Sequence, residues 1–478
     1  MSFISIDSTF IKTRELFPLP LTAMEQFWLW DDVPTHPKRF RVVIEFSGSP
    51  CVTSLEKSIA VAASRHPMLI SRVDSTGLCP QWVLPEKPRL GWQWNTDSWT
   101  QSPFPHDWDL STEGGLRIWG SRNGDALNLC FETHHSASDA LGLRQFLRDL
   151  FLAYDHLVKD PNRPLELPTL DYYRLTHRGE FLRPAPTEDS RSTTTWEKIL
   201  GAYHFHFRGP AAIAAPSSAS HRESSHMPTA LPGGVTLEKE RNSHFFRHTF
   251  DRSETAAIDD AHSKYNIANS TLNDAAIALL MQVITDWNIV QDTAIRKQRY
   301  RILIPTDLRT LRDSRAPAAN RLGFGFVVST TEECRNFGQL LLSIQSQTQA
   351  IRQYRLGLDF VEIFGVLTSY PKFARWIIRR PRCLATAVLT NMGDALGRFR
   401  KHFEVVDKKI KIGDLVVETF AGYPPLRPET HMGVGLSRCS GRLTLGAIFD
   451  AAHFTSEQAE ELHQQWVQAW RKLTACGG

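Results

Sequence analysis

Residues 133–141 read THHSASDAL: Thr133-His134-His135-Ser136-Ala137-Ser138-Asp139-Ala140-Leu141. Two adjacent histidines end an apolar run, three small residues follow, and an acid stands four places after the second histidine. Upstream, Leu127, Leu129 and Phe131 alternate as one face of a strand over 126–133. A second strand over 116–122 precedes it across the hairpin signal Asn123-Gly124-Asp125. Continuing the period of two puts Thr133 and His135 on the side of Leu127 and turns His134 the other way. Downstream, Leu143, Phe146, Leu147, Leu150 and Tyr154 recur at helical spacing, with Ser138 or Asp139 as the cap. The stretch thus joins a strand to a helix, a common position for a functional loop on a rigid scaffold.

Three chemistries fit it. A neutral imidazole at His135 can take a proton from a hydroxyl or amine attacking a carbonyl, and Asp139 can orient the ring or hold the loop through an arginine. The pair can be packed histidines before a helix cap. Zinc fits less well, because adjacent strand residues face opposite ways and metal-binding helices space their histidines differently. No metal is expected.

The chain has 478 residues, 42% apolar and 22% charged, with a formal net charge of +4. That is a globular composition of two or three domains, and the charge is too weak to point to nucleic acid or an anionic membrane, so membrane contact is not expected. Seven scattered cysteines form no CxxC pair, so a reducing, cytoplasmic setting is expected. MSFISIDSTFIKTRELFPLP has no signal-peptide pattern, and no stretch approaches the roughly 20 apolar residues of a membrane span.

Around the central stretch, alternation of Phe40, Val42, Ile44 and Phe46 predicts a half-buried strand over 39–47. A helix follows, with Thr53 and Glu56 at capping-box spacing. Residues 183–195 and 208–234 are rich in Pro, Ala, Ser and Gly and read as a long crossover. Beyond it come a buried helix over 271–287, a strand over 300–305, a hairpin of 431–439 with 442–450 about Ser440-Gly441, and a final helix capped at TSEQ (455–458). These readings give an α/β chain with an N-terminal lobe (1–175), a crossover (176–242) and a C-terminal lobe (243–478), with a ligand cleft between lobes. His204 and His206 in YHFHF share a strand face without a third ligand and read as structural. KFARWIIRRPR (372–382) carries five basic residues among apolar ones. It reads as a solvated amphipathic helix ended by Pro381, or as a dock for coenzyme A phosphates, an acidic carrier or a membrane.

HHSASDA resembles the HHxxxDG signature of the condensation-domain and chloramphenicol-acetyltransferase-like acyltransferases. Other segments match in order: LTAMEQFWLW (21–30), SRHPMLISR (64–72), LDYYRL (170–175), LIPTDLR (303–309), NRLGF (320–324), LTNMGD (389–394) and FDAAHFTSEQAEEL (449–462). The resemblance spans nearly the whole chain. It implies two lobes of mixed sheets flanked by helices, in a V-shaped pseudo-dimer with a tunnel between them. It implies acyl transfer from coenzyme A or a phosphopantetheinyl carrier thioester to an alcohol or amine, with His135 as base, Asp139 as organiser and His134 structural. The Ala140 N–H and Thr390-Asn391 are implied as oxyanion or positioning groups.

There are departures. Ala140 replaces the family's glycine, and Ile70 replaces the arginine of its RHexLR segment, leaving Arg72 or Arg309 to pair with Asp139. No DFGWG is present, which disfavours a plant-type enzyme. A free-standing monomer needing no cofactor is expected. The alternatives are an inactive relative that binds a carrier or partner protein, a wax-ester-type lipid acyltransferase, and an epimerising or cyclising relative.

Overall fold

The computed structural model describes residues 3–7, 13–77, 79–96, 98–123, 126–182, 209–215, 234–236, 242–265, 267–291 and 298–475. His204 and His206, residues 183–195 and most of 208–234 lie outside them, as do the turn residues Gly124 and Asp125.

The expected strands form two large mixed sheets. In the first, Arg39–Gly48 is central. It pairs antiparallel with Ala126–His134, aligning Phe40 with Thr133 and Val42 with Phe131. Leu116–Asn123 continues the sheet as the hairpin partner of Ala126–His134. Helices Val52–Arg65 and Ala140–Lys159 cover one face, where Val42, Ile44, Leu129, Phe131, Phe146 and Leu150 make a continuous core. The second sheet is built around Arg299–Asp307, Ala387–Asp394 and the hairpin Met432–Cys439 with Arg442–Asp450. Ser440 and Gly441 both take positive φ, as a tight hairpin turn requires. Helices Leu272–Gln291 and Ser456–Ala475 cover this sheet with Met281, Ile284, Trp466 and Trp470. Thr455 and Gln458 cap the final helix reciprocally.

Two expectations change. Strand 39–48 is buried on both faces, because Arg41 pairs with Glu132 at 2.8 Å and Glu45 with Arg247 at 2.7 Å beneath a second layer. The helix after it is capped by Cys51 without a side-chain bond, since Glu56 instead accepts from the Trp92 indole at 2.9 Å. The sheets also cross the boundary at 243. Strand Leu415–Tyr423 belongs to the first sheet, pairing with Arg39–Gly48 through Gly422↔Val42. It crosses the second sheet where Gly435 and Gly446 leave room: a Cβ on Gly435 would lie 2.0 Å from the Gly422 carbonyl oxygen. A strand from the C-terminal half therefore belongs to the first sheet.

Buried histidines are expected to make the second lobe sensitive to acid. His463 stacks on Phe246 at 5.6 Å, and neither ring nitrogen has a hydrogen-bond partner. Burial pushes its pKa down to about 3, and burial with Arg471 pushes His248 down to about 4. An unfolded histidine titrates near about 6.5. Below that pH the unfolded chain binds protons that the folded chain refuses, so stability is lost as the pH falls toward the folded values. Replacing His463 by leucine is expected to flatten the acid-side decline in melting temperature. An unaltered slope would assign the decline to other groups.

Candidate functional site

The site is assembled at the end of strand Ala126–His134. His135 lies just past it, and its N–H extends the ladder by one bond, donating to the Lys38 carbonyl at 2.9 Å. Its ring lies 4.7 Å from Phe40, on the Val42 side of the sheet. The Trp28 indole covers the imidazole almost in parallel, at 4.2 Å and 10°. Trp28 is held by helix Ala23–Asp31, whose start is fixed by a capping box between Thr22 and Glu25. Glu25 is itself clamped by Arg178 at 2.7 Å and 2.8 Å and by the Trp82 indole at 3.1 Å.

This enclosure sets the ionisation of His135. Burial pushes its pKa down to about 3; Asp139 pulls upward, while His134 and Lys38 push further down. Nδ1 is buried without a hydrogen-bond partner and the ring lines the cavity, which leaves Nε2 as the nitrogen to face it. His134 points away. Its Nε2 is 3.4 Å from Asp32, its Nδ1 accepts from the Ser136 N–H at 3.1 Å, and its ring meets Trp108 edge-on.

Asp139 works as a tie. It caps helix Ala140–Lys159 by accepting from the Gly142 N–H at 2.7 Å. Arg309 grips both its oxygens at 2.9 Å, and the Arg321 N–H donates to it at 2.7 Å. Burial opposes its charge, yet Arg309 and these donors hold its carboxyl below the usual range. Asn320, beside Arg321, donates through its side-chain amide to the His135 carbonyl. Both ends of the His135–Asp139 loop are thus held by residues 309–321 of the second half. The approach is close. A Cβ on Gly142 would lie 2.6 Å from the Ala319 carbonyl oxygen. Gly142→Ala is therefore expected to cost about 1–3 kcal/mol by overpacking, read as a lower urea midpoint, and a wild-type midpoint would show that the loop yields freely.

Arg72 does not share this role. It lies in a small sheet, in strand Arg72–Asp74 opposite Val83, and Arg309 is the partner of Asp139. Thr390 and Asn391 part company as well. On strand Ala387–Asp394 they face opposite ways: Thr390 lines the cavity, while Asn391 is exposed and accepts from the Gly393 N–H at 2.8 Å. Ala140 lines the cavity beside His135. Trp28, Asn320 and Lys38 were not singled out from sequence, although Trp28 and Asn320 stand in the matched segments LTAMEQFWLW and NRLGF.

The cavity encloses about 980 Å³ including its mouth. Its walls come from both halves: Trp28, Phe40, Val42 and His135 from the first, Phe324, Phe326, Phe360 and Thr390 from the second. The charged side chains that reach it are already paired, Arg41 with Glu132 and Arg427 with Asp31 at 2.8 Å. Its lining is predominantly apolar, as is usual for small-molecule cavities.

No protein-family model and no curated relative matches the sequence. Solved structures do. The TRI3 trichothecene 15-O-acetyltransferase of Fusarium sporotrichioides aligns over 95% of this chain and 94% of its own, with TM-score 0.64 and 12% identity. The epimerization domain of the third module of tyrocidine synthetase B aligns over 96% and 98%, with TM-score 0.59 and 12% identity. This chain has the condensation-domain fold. The X-domain from teicoplanin biosynthesis shares it, at TM-score 0.57 and 16% identity over 97% and 96% of the two chains. Within the condensation fold the two large sheets are the cores of the two lobes, and the His135 cavity lies between them. Among the described residues, no helix is long and apolar enough to cross a membrane.

Proposed function

We propose that the protein transfers an acyl group from a thioester of coenzyme A or a carrier protein to an alcohol or amine, with His135 as general base. The observation that carries this reading is the single open nitrogen of His135. Nε2 faces an apolar cavity walled by both lobes, on a ring pinned by Trp28 and on a loop tied by Asp139 to Arg309. Nε2 takes the acceptor's proton as the oxygen or nitrogen attacks the thioester carbonyl. A tetrahedral oxyanion forms. Its collapse breaks the carbon–sulfur bond, and the leaving thiolate recovers the proton from the imidazolium, giving ester or amide and free thiol.

The Ala140 N–H is the first of its helix and has no intrahelical acceptor, so it is available to the oxyanion. With the Thr390 hydroxyl it makes a donor pair in which each member is worth about 3–4 kcal/mol. Dry walls strengthen both bonds and hold the two substrates together. Because burial holds His135 near about 3, the proton-accepting form is present throughout the neutral range. The ring is correspondingly a weak base, so proton transfer runs with bond formation and not ahead of it.

One feature favours a second reading. Nδ1 has no partner to fix the tautomer, and Trp28 shields one ring face, which suits a condensation-type lobe pair that binds a carrier or partner protein without turnover. Incubation with a panel of acyl-CoA and acyl-carrier thioesters plus alcohols and amines, followed by thiol release and intact mass, separates the two. Acyl transfer supports the enzyme. Carrier binding without thiol release supports the second reading.

A further inference from the structure

Helix Pro371–Ile378 is turned inside out for a surface helix. Its small or aliphatic residues Ala374 and Ile378 face inward, packed with Phe27, Trp30 and Phe364. Its bulky aromatic residues face solvent. Phe373 and Trp376 are each 52% exposed and stack on one another at 5.8 Å, and Tyr370 at 65% and Val366 at 68% precede them in the chain. An exposed apolar patch of this kind marks an interaction surface. Basic side chains rim it. Arg380 lies 3.5 Å over the Trp376 ring, and Lys372, Arg375 and Arg379 stand exposed on the same segment. The sequence has no Asp or Glu between Glu362, one turn before Val366, and Asp394.

We infer that this patch seats the protein on an anionic lipid bilayer. Tyr, Trp and Phe side chains interleaved with Lys and Arg are the composition of an interfacial helix, whose rings enter the headgroup boundary while cations meet lipid phosphates. An acidic protein partner that met the charges alone would leave the exposed rings unused. The location suits delivery of an apolar substrate. The patch backs onto Phe27, a cavity wall, and the chain leaving the helix reaches the cavity at Leu384 and Ala385. Arg427, another lining residue, donates to the Ile378 carbonyl at 2.9 Å. This inference stands apart from turnover at His135, since binding is read without chemistry.

The full chain is floated with vesicles of phosphatidylcholine alone and of phosphatidylcholine with phosphatidylserine. Wild type is expected to rise with the second and to be released by high salt. Each basic residue near an anionic surface is worth about fivefold in partition, so Lys372→Glu with Arg380→Glu is expected to lower binding more than tenfold. Phe373→Ser with Trp376→Ser, which alters only exposed rings and is checked by melting temperature, is expected to lower it comparably. Wild type that stays unbound with phosphatidylserine vesicles overturns the inference. So does unchanged binding of the Phe373/Trp376 pair, which would mark a purely electrostatic dock of the kind an acidic protein uses.

Discussion

His135→Ala is expected to lower acyl transfer by about 10²–10⁴-fold, the usual contribution of a positioned general base, while leaving the fold in place. The ring has no side-chain hydrogen bond to lose. Its backbone carries the loop, through the N–H to Lys38 and the carbonyl to Asn320. What the substitution removes is the open Nε2 and one face of the Trp28 stack. Thiol release with whichever donor wild type consumes is the measurement, with thermal melting as the control. A companion substitution refines it. Trp28→Leu frees the ring, so its pKa is expected to rise from about 3 and an acid limb is expected to enter the pH profile. A profile identical to wild type would remove Trp28 from the control of that ionisation.

Asp139→Ala is expected to be the most destabilising single change near the site. Arg309 would keep its charge in a largely buried position with only the more exposed Asp307, 3.2 Å away, as counter-charge, and the Arg321 and Gly142 N–H groups would lose their acceptor. Breaking a buried pair by removing one partner costs about 3–5 kcal/mol, mostly through the stranded charge. The prediction has a built-in control. Arg309→Met with Asp139→Ala removes both charges and is expected to recover part of the loss. Urea unfolding of the two single variants and the double gives the coupling. Strictly additive losses would show that Asp139 acts only as a helix cap.

The histidine stretch, read with period two and then period 3.6, locates the strand end, the helix start and the opposite facing of His134 and His135, because those features are local. The hairpin about Ser440-Gly441 and the final helix at TSEQ were legible for the same reason: turn residues and caps act within four positions. What escaped is long-range. Nothing in the local pattern says that Trp28 lies on His135, or that strand 415–423 leaves its own half to complete the first sheet. Asn391 shows a different limit. It was paired with Thr390 by motif, yet adjacent strand residues face opposite sides, so only one of the two could line the cavity. Arg72 and Arg309 were indistinguishable as partners of Asp139 until loop 309–321 was seen to reach across. In the basic segment 372–382 the helix runs only over Pro371–Ile378 and stops short of Pro381; the sequence does not say which face is outside, and the aromatic face is.

The central claim is that acyl transfer passes through a buried, neutral His135. The most direct test is the pH dependence of kcat/KM for the donor thioester, measured on wild type and His135→Ala side by side, since kcat/KM reports ionisations of the free enzyme. Because burial lowers the folded pKa to about 3, the reactive neutral form persists as the pH falls through the ordinary histidine value of about 6.5. The predicted result is a wild-type profile with no inflection there and a variant at background throughout. A His135→Ala enzyme that turns over at the wild-type rate would contradict the claim.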